Sequence, residues 1–173
     1  MLKSISSTQN PLVKKIFNIQ RKSRERRTTG LFVVEGIREI TLAIQGNYQI
    51  EQILFCKEII SEESLFNHLN SGILHSKVIS ITLEVYDKLA YRSSTEGVIA
   101  LIKSKNTDIK NLQFKNDNPL LLVAEAPEKP GNIGALLRTA DAANVDAVII
   151  ANPRTDLYNP NIIRNSEIGR AHV

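Results

Sequence analysis

The sequence predicts an α/β protein in which strands alternate with helices. Short apolar runs rich in Val, Ile and Leu alternate with segments whose apolar residues recur at helical spacing. Hydrophobic residues make up 42% and charged residues 23% of the 173 residues, which is typical of a globular chain with a packed core. This alternation favours helices layered on a largely parallel sheet.

The first helix has clear start and stop signals. Asn10 offers a side-chain acceptor at the N-cap, and Pro11 suits the first helical position, where its missing N–H costs nothing. Leu12, Ile16 and Ile19 then recur at helical spacing and predict a face toward the core. The basic residues that follow continue this helix, and we expect Gly30 to end it.

The alternation then continues to about residue 102. Glu35-Gly36 follows an apolar strand and opens a helix that runs through Ile44 and ends near Gly46. The further expected elements are strands at 31–34, 52–55, 77–81 and 97–102, and helices at 62–70 and 83–90. Residues 1–105 are therefore expected to form the first domain.

A polar segment separates this domain from a second α/β unit. Residues 106–118 are typical of a linker, because Asp, Lys and Asn outnumber scattered apolar residues. Residues 119–166 are predicted to form strands at 120–124 and 147–151, a helix at about 133–144 and the start of another near 159–160. Two strands and one complete helix cannot cover both faces of a parallel sheet, so we expect the first part of a larger domain.

The last residues call for a separate interpretation. Ile168–Val173 matches one translated frame of a common sequencing adapter and does not continue the preceding pattern. Residues 167–173 are therefore expected to be a non-native tail, and the natural protein is expected to be longer.

Composition narrows the functional classes. The single cysteine, Cys56, excludes an intramolecular disulfide framework and suits the cytoplasm. His68 and His75 lack neighbouring ligand patterns, so we expect no metal site. No apolar run is long enough to cross a bilayer, so neither a membrane protein nor a membrane partner is expected.

Basic residues are concentrated at the N-terminus. Residues 1–27 carry a net charge of +7 and the remainder −3, from a total of +4. This asymmetry indicates a polyanion-binding end, although a solvated helix face explains it equally well. With 5% aromatic residues and no Trp, base stacking is disfavoured and phosphate contacts would dominate.

The segment 128–140 lies between a predicted strand and helix, where open parallel sheets bind ligands. It matches neither the dinucleotide-binding loop nor the P-loop. Arg138 projects opposite the apolar stripe of the helix and is free to meet something other than the core. By spacing alone, a surface arginine and a helix-capping Asn132 remain the favoured interpretation.

The run from Glu128 to Val145 closely resembles motif 1 of the SpoU/TrmH family of RNA 2′-O-methyltransferases, N-x-G-x-x-x-R-T-A-x-A. Residues 5–15, 21–27, 32–36 and 96–98 resemble the family's N-terminal substrate-binding domain, and 157–164 resembles the segment after the second catalytic strand. Lys129 departs from the family, in which Asp is frequent at this position.

The resemblance implies an L30e-like RNA-binding domain followed by a SPOUT-type, Rossmann-like domain with a C-terminal knot. It further implies S-adenosylmethionine as donor, structured RNA, in particular rRNA, as substrate, and a homodimer. Arg138 is implied as the catalytic residue that positions the ribose hydroxyl and stabilises its charge, and Asn132 as the residue that orients the arginine or the nucleotide. The implied RNA-binding residues are Asn10, Lys14, Lys15, Arg21, Lys22, Arg24, Arg26, Arg27 and Glu35.

The resemblance therefore implies a C-terminally truncated RNA 2′-O-ribose methyltransferase. Motifs 2 and 3, which bind the donor in this family, have no counterpart here, so the donor-binding residues stay unassigned and the 173-residue chain is expected to be inactive. One alternative is an L30e-like RNA-binding module without catalytic activity. Another is a different α/β enzyme that holds a phosphate ligand at the Pro130-Gly131 turn.

Overall fold

The structure is a computed structural model that describes residues 2–69, 75–91, 96–114 and 117–166. The first domain contains β1 (Lys3–Ile5), α1 (Pro11–Arg21), α2 (Ser23–Thr29), β2 (Leu31–Glu35), α3 (Ile37–Gln45), β3 (Ile50–Cys56), α4 (Glu62–Leu69), β4 (Val78–Ile81), α5 (Leu83–Leu89) and β5 (Val98–Lys103). The second unit contains β6 (Leu121–Glu125), α6 (Pro130–Ala142), β7 (Ala147–Ala151) and α7 (Pro160–Ser166). The tail at 167–173 lies outside the described residues.

The sheet of the first domain is mixed, with the strand order β1-β4-β3-β5-β2. Strands β1, β4 and β3 run parallel, whereas β5 is antiparallel to both β3 and β2. The expectation of a largely parallel sheet was therefore wrong for this domain. Strand β5 begins at the end of the sheet where β4 finishes, because Val98 pairs with Phe55 near the end of β3, next to Cys56, which pairs with Ile81 at the end of β4.

Helices cover both faces of this sheet. On one face, α1 and α5 contribute Val13, Ile16 and Leu89 to a buried cluster. On the other face, α3 and α4 contribute Ile40 and Leu65 to a second cluster. The domain is thus a three-layer α/β/α structure, which confirms the predicted α/β class.

The basic N-terminal segment forms two helices rather than one. Asn10 caps α1 as predicted, because its side-chain oxygen accepts the Leu12 N–H at 2.9 Å. The chain leaves the helix at Lys22, where φ is −118° and ψ is 117°, and α2 follows. Gly30 ends α2 with φ of 63°, a left-handed conformation that glycine adopts without strain.

In the second unit, β6 and β7 pair in parallel, with Leu121 opposite Ala147. Helices α6 and α7 pack on one face of this pair. The other face is open at Val123, which is 61% exposed. No helix in the described residues is long and apolar enough to cross a membrane.

Candidate functional site

Six of the predicted RNA-binding cations form an exposed set on α1, α2 and the residue between them. This basic surface consists of Lys14, Lys15, Arg21, Lys22, Arg24 and Arg27. Helical geometry places these side chains outside the two buried clusters, so that their charges are available to a polyanion.

Two cations flank Phe17 at the edge of the basic surface. The Arg21 guanidinium carbon lies 4.3 Å from the centroid of the Phe17 ring, and the Lys88 ammonium lies 5.8 Å from it. The Lys88 ammonium also donates to the Thr8 carbonyl at 3.0 Å. Contact with the ring orients the arginine, and Lys88 of α5 extends the positive charge beyond the predicted set.

Arg26 is not part of the basic surface, and its predicted role as an RNA contact requires correction. The residue is 6% exposed. Its guanidinium donates to both carboxylate oxygens of Asp156 at 2.9 and 2.8 Å. A buried arginine in a bidentate ion pair cannot also reach an RNA phosphate.

Asn10 and Glu35 occupy positions that differ from those of the cations. The Asn10 side-chain oxygen is engaged as the α1 cap. One carboxylate oxygen of Glu35, at the end of β2, accepts the Tyr91 N–H at 3.0 Å. A carboxylate repels phosphate, so any RNA contact by Glu35 would have to be with a base or ribose donor.

Arg138 lies on the exposed side of α6, as helical spacing predicted. Ile133, Leu137 and Ala140 are buried on the opposite side, against β7 and α7. Among the described residues, the Arg138 guanidinium has no hydrogen-bond or ion-pair partner within the chain. All of its donors are therefore available to a ligand.

Asn132 lies in the first turn of α6 and does not cap it. The helix begins at Pro130, with Lys129 at the N-cap, because proline fits the first helical position. The capping interpretation of Asn132 is thus wrong. Asn132 and Arg138 are six residues apart, which separates them by about 9 Å along the axis and about 120° around it.

Gly134, the glycine of the N-x-G motif, has a packing role that sequence reasoning missed. A Cβ at this position would lie 2.5 Å from the Asn165 Cβ and 3.0 Å from the Ile162 carbonyl oxygen. The glycine lets α7 pack closely against α6. The N-x-G motif pointed to this glycine, but we interpreted it only as part of a ligand-binding motif and not as a packing requirement.

The carboxyl ends of β6 and β7 have left-handed backbone at non-glycine residues. Ala126 has φ of 45° and Asn152 has φ of 49°. The Ala126 N–H donates to the Ala151 carbonyl at 2.8 Å, and the Asn152 amide donates to Glu125 at 2.8 Å. These bonds hold the edge from which the chain turns into α6.

An aromatic cluster joins the two parts of the chain. Tyr158 lies 4.5 Å from Phe32, measured between ring centroids, and 6.4 Å from Tyr48. The Tyr158 hydroxyl accepts the Lys105 N–H at 2.8 Å. Burial raises the pKa values of Tyr48 and Tyr158, because a desolvated site disfavours the charged phenolate.

Two cavities lie beside this junction. The larger, about 940 Å³, opens between the linker and β7 and is lined by Tyr48, Phe114 and Leu157. The smaller, about 160 Å³, lies between α7 and the β2–α3 turn and is lined by Glu35 and Arg164. Within the described ranges, no group of three His, Cys, Asp or Glu residues is arranged to hold a metal ion.

Two protein-family models match successive parts of the chain. Residues 10–100 match the MRM3-like substrate binding domain. Residues 119–173 match the SpoU rRNA Methylase family.

Curated relatives are similar along most of the chain. It is 26% identical to a 23S rRNA (uridine(2479)-2′-O)-methyltransferase of Streptomyces viridochromogenes, over 83% of this chain and 50% of the relative. It is 23% identical to the 23S rRNA (guanosine(2553)-2′-O)-methyltransferase RlmP of Bacillus subtilis, over 99% of this chain and 64% of the relative. The chain spans about half to two thirds of the length of these relatives.

Solved structures share the fold. A crystal structure of an RNA 2′-O ribose methyltransferase is 32% identical and superposes with a TM-score of 0.77, covering 97% of this chain and 63% of that chain. The SpoU methyltransferase AviRb of Streptomyces viridochromogenes, in complex with AdoMet, is 21% identical with a TM-score of 0.77, over 94% of this chain and 62% of that one.

The fold and the site thus define a two-part α/β protein with a substrate-binding domain before a methylase segment. The chain belongs to the SpoU/TrmH family, and its first domain is of the MRM3-like type.

Proposed function

We propose that this chain is part of an S-adenosylmethionine-dependent enzyme that methylates a ribose 2′-hydroxyl in ribosomal RNA. The observation that carries the proposal is the guanidinium of Arg138, which is exposed on α6 and unpaired among the described residues, in the segment that matches the SpoU family. The activities in the names of the relatives support it. The enzyme works in the cytoplasm as a homodimer.

Arg138 positions the target nucleotide and stabilises charge on its ribose oxygen. A 2′-hydroxyl is a poor nucleophile until its proton leaves or its developing negative charge is stabilised. A guanidinium holds its own proton too tightly to act as the base, but it can donate to the ribose oxygen and to the adjacent phosphate together.

Asn132 acts on the nucleotide rather than on the arginine. The two side chains emerge from different sides of α6, about 9 Å apart along its axis, and both are exposed. A side-chain amide in the first turn offers both a donor and an acceptor to a base or ribose edge.

The described residues do not by themselves enclose a site for the methyl donor. Beside β6 the sheet face is open, with Leu121 at 40% and Val123 at 61% exposed. The smaller cavity lies at the junction with the first domain, whereas the larger one reaches Ala147 and Ile149, the β7 partners of Leu121 and Val123. The donor assignment rests on family membership, and the donor-contacting residues stay unassigned.

An RNA-binding module without chemistry is the weaker alternative. The first domain and its basic surface alone would account for such a module. The SpoU match of residues 119–173, with Arg138 exposed and unpaired among the described residues, favours methyl transfer.

The RNA-binding part is tested by the salt dependence of RNA affinity. Removal of one cation that binds a phosphate should lower the slope of log affinity against log salt by about 0.7–0.9. Arg24→Ala with Arg27→Ala should therefore flatten the slope by roughly 1.4–1.8. Lys57→Ala is the matched control. Lys57 is exposed and follows β3, at the opposite end of the sheet from Leu31, where β2 begins after α2.

Methyl transfer is tested with the protein expressed from its full reading frame and with total ribosomal RNA. Arg138→Ala should lower kcat about 10²–10³-fold, the usual cost of one donor to a developing oxyanion. Asp141→Ala, on the next exposed turn of α6, should leave kcat unchanged. Equal kcat for Arg138→Ala and the parent would refute the catalytic assignment.

A further inference from the structure

Arg26 and Asp156 form a buried ion pair between residues 130 positions apart. The Arg26 Nε donates to Asp156 Oδ1 at 2.9 Å, and Nη2 donates to Oδ2 at 2.8 Å. The two side chains are 5% and 13% exposed. This geometry is the bidentate fork by which arginine binds a carboxylate most specifically.

The same guanidinium also completes the end of α1. Its Nη1 donates to the Ile19 carbonyl at 2.7 Å and to the Gln20 carbonyl at 2.9 Å. Carbonyls in the last turn of a helix lack intrahelical donors, and the chain leaves α1 at Lys22. Four of the five N–H groups of Arg26 are therefore used, and all four point inward.

Asp156 belongs to the segment that leads from β7 into α7. Helix α7 contacts the first domain with one face and α6 with another. Ile163 of α7 is buried in the core of the first domain. Ile162 and Asn165 instead lie against Gly134 of α6. The ion pair therefore holds the segment that leads into α7, and α7 in turn packs directly against α6.

We propose that Arg26 is a positioning residue that sets the orientation of α6, and thus of Arg138, relative to the basic surface. It acts through Asp156 and α7 and touches no substrate. Helix α2 is then two-sided: Arg24 and Arg27 face outward, whereas Arg26 holds the second unit in place. The positioning role is argued from the ion pair together with the packing of α7 on both parts of the chain, and only its catalytic consequence rests on the proposed function.

The orientation is tested by electron–electron distance measurements between spin labels on the two parts of the chain. Glu84→Cys on α5 and Asp141→Cys on α6 provide exposed sites, in a Cys56→Ser background. Arg26→Met should broaden the distance distribution at least twofold, with unchanged circular dichroism. Arg24→Met, the exposed neighbour on α2, should leave the distribution as narrow as in the parent.

A narrow, unshifted distribution in folded Arg26→Met would overturn the proposal. If Arg26→Met fails to fold, Asp156→Asn replaces it, because the amide keeps the shape and loses one acceptor of the fork. The same broadening is then expected, and a narrow distribution is again the contradicting result. Arg26→Lys should restore the width only in part, since an ammonium cannot reproduce the fork.

A second measurement distinguishes positioning from direct RNA contact. With an in vitro transcribed stem–loop RNA, Arg26→Met should keep the salt slope of the parent, whereas Arg24→Ala should flatten it. A slope flattened equally by Arg26→Met and Arg24→Ala would make Arg26 an RNA contact and overturn the proposal. Because the spin-label experiment contains neither RNA nor donor, its outcome is independent of the proposed function.

Discussion

Gly134 of α6 lies so close to Asn165 of α7 that a Cβ at position 134 would be 2.5 Å from the Asn165 Cβ. The Ile162 carbonyl oxygen, at 3.0 Å from the same point, belongs to backbone and cannot turn away. The motif glycine is therefore required by helix packing, whatever ligand the motif binds.

Gly134→Ala should lower the free energy of unfolding by about 1–2 kcal/mol, because the overpacking cost exceeds the gain in helix propensity. Urea denaturation followed by circular dichroism measures the change. Gly131→Ala is the matched control, since its Cβ would make only an ordinary contact, 3.5 Å from the Asn165 amide nitrogen. Equal effects of the two substitutions would contradict the packing role.

Ala126→Gly should raise the free energy of unfolding by up to about 1 kcal/mol, because it removes the strain of a left-handed alanine. Ala124→Gly, within β6, should instead lower it by about 0.5–1 kcal/mol, since glycine loses more entropy on folding. Thermal unfolding distinguishes the two by the sign of the shift in Tm. A lowered Tm for Ala126→Gly would show that the backbone at 126 is unstrained.

Stability should decline in alkali partly through Cys56. Burial, and the hydrogen bond to Glu58, raise the pKa of the Cys56 thiol to about 11, whereas an unfolded thiol has a pKa of about 8.5. The folded state holds this proton more tightly than the unfolded state does. The thiol therefore contributes fully to the free energy of unfolding below about pH 8.5, and this contribution is lost as the pH rises toward 11. Urea denaturation at pH 7, 8.5 and 10 should show the decline.

The Cys56→Ala variant isolates the thiol in that experiment. The pKa of an unfolded tyrosine is about 10, so Tyr86, whose pKa burial raises to about 12, begins to affect stability only near pH 10. Between pH 8.5 and 10 the variant should therefore lose less stability than the parent. Parallel curves for the two proteins would rule out the thiol as the source.

Tyr158→Phe should weaken the junction between the two parts of the chain. The substitution removes the acceptor for the Lys105 N–H but keeps the ring against Phe32. We expect a decrease in stability of about 1 kcal/mol, the usual net value of one hydrogen bond. Faster hydrogen exchange of the Lys105 amide than in the parent checks the mechanism, and an unchanged rate would contradict it.

The sequence predicted most helices and strands because their signals are local. Asn10 and Gly30 mark helix ends through backbone and capping chemistry that needs no tertiary partner. The outward position of Arg138 followed from helical spacing in the same way. These features depend only on neighbouring residues.

Other features depend on contacts that are distant in sequence. The break at Lys22 has no breaker residue, and the carbonyls it frees are satisfied by Arg26, which is itself neutralised by Asp156. Strand direction is likewise not encoded by apolar periodicity, so the antiparallel β5 was missed. We predicted Arg26 to be an exposed RNA contact from the charge of its segment, and a count of charges does not show which side chains are buried.

The ion pair at Asp156 also affects how the first domain would behave on its own. Expressed as residues 1–105, it would lose the carboxylate and leave the Arg26 guanidinium without its counter-ion, next to six cations already exposed. It would also uncover Phe32 where Tyr158 now lies. Such an isolated domain would carry one more uncompensated cation and more exposed apolar surface than it has within the chain.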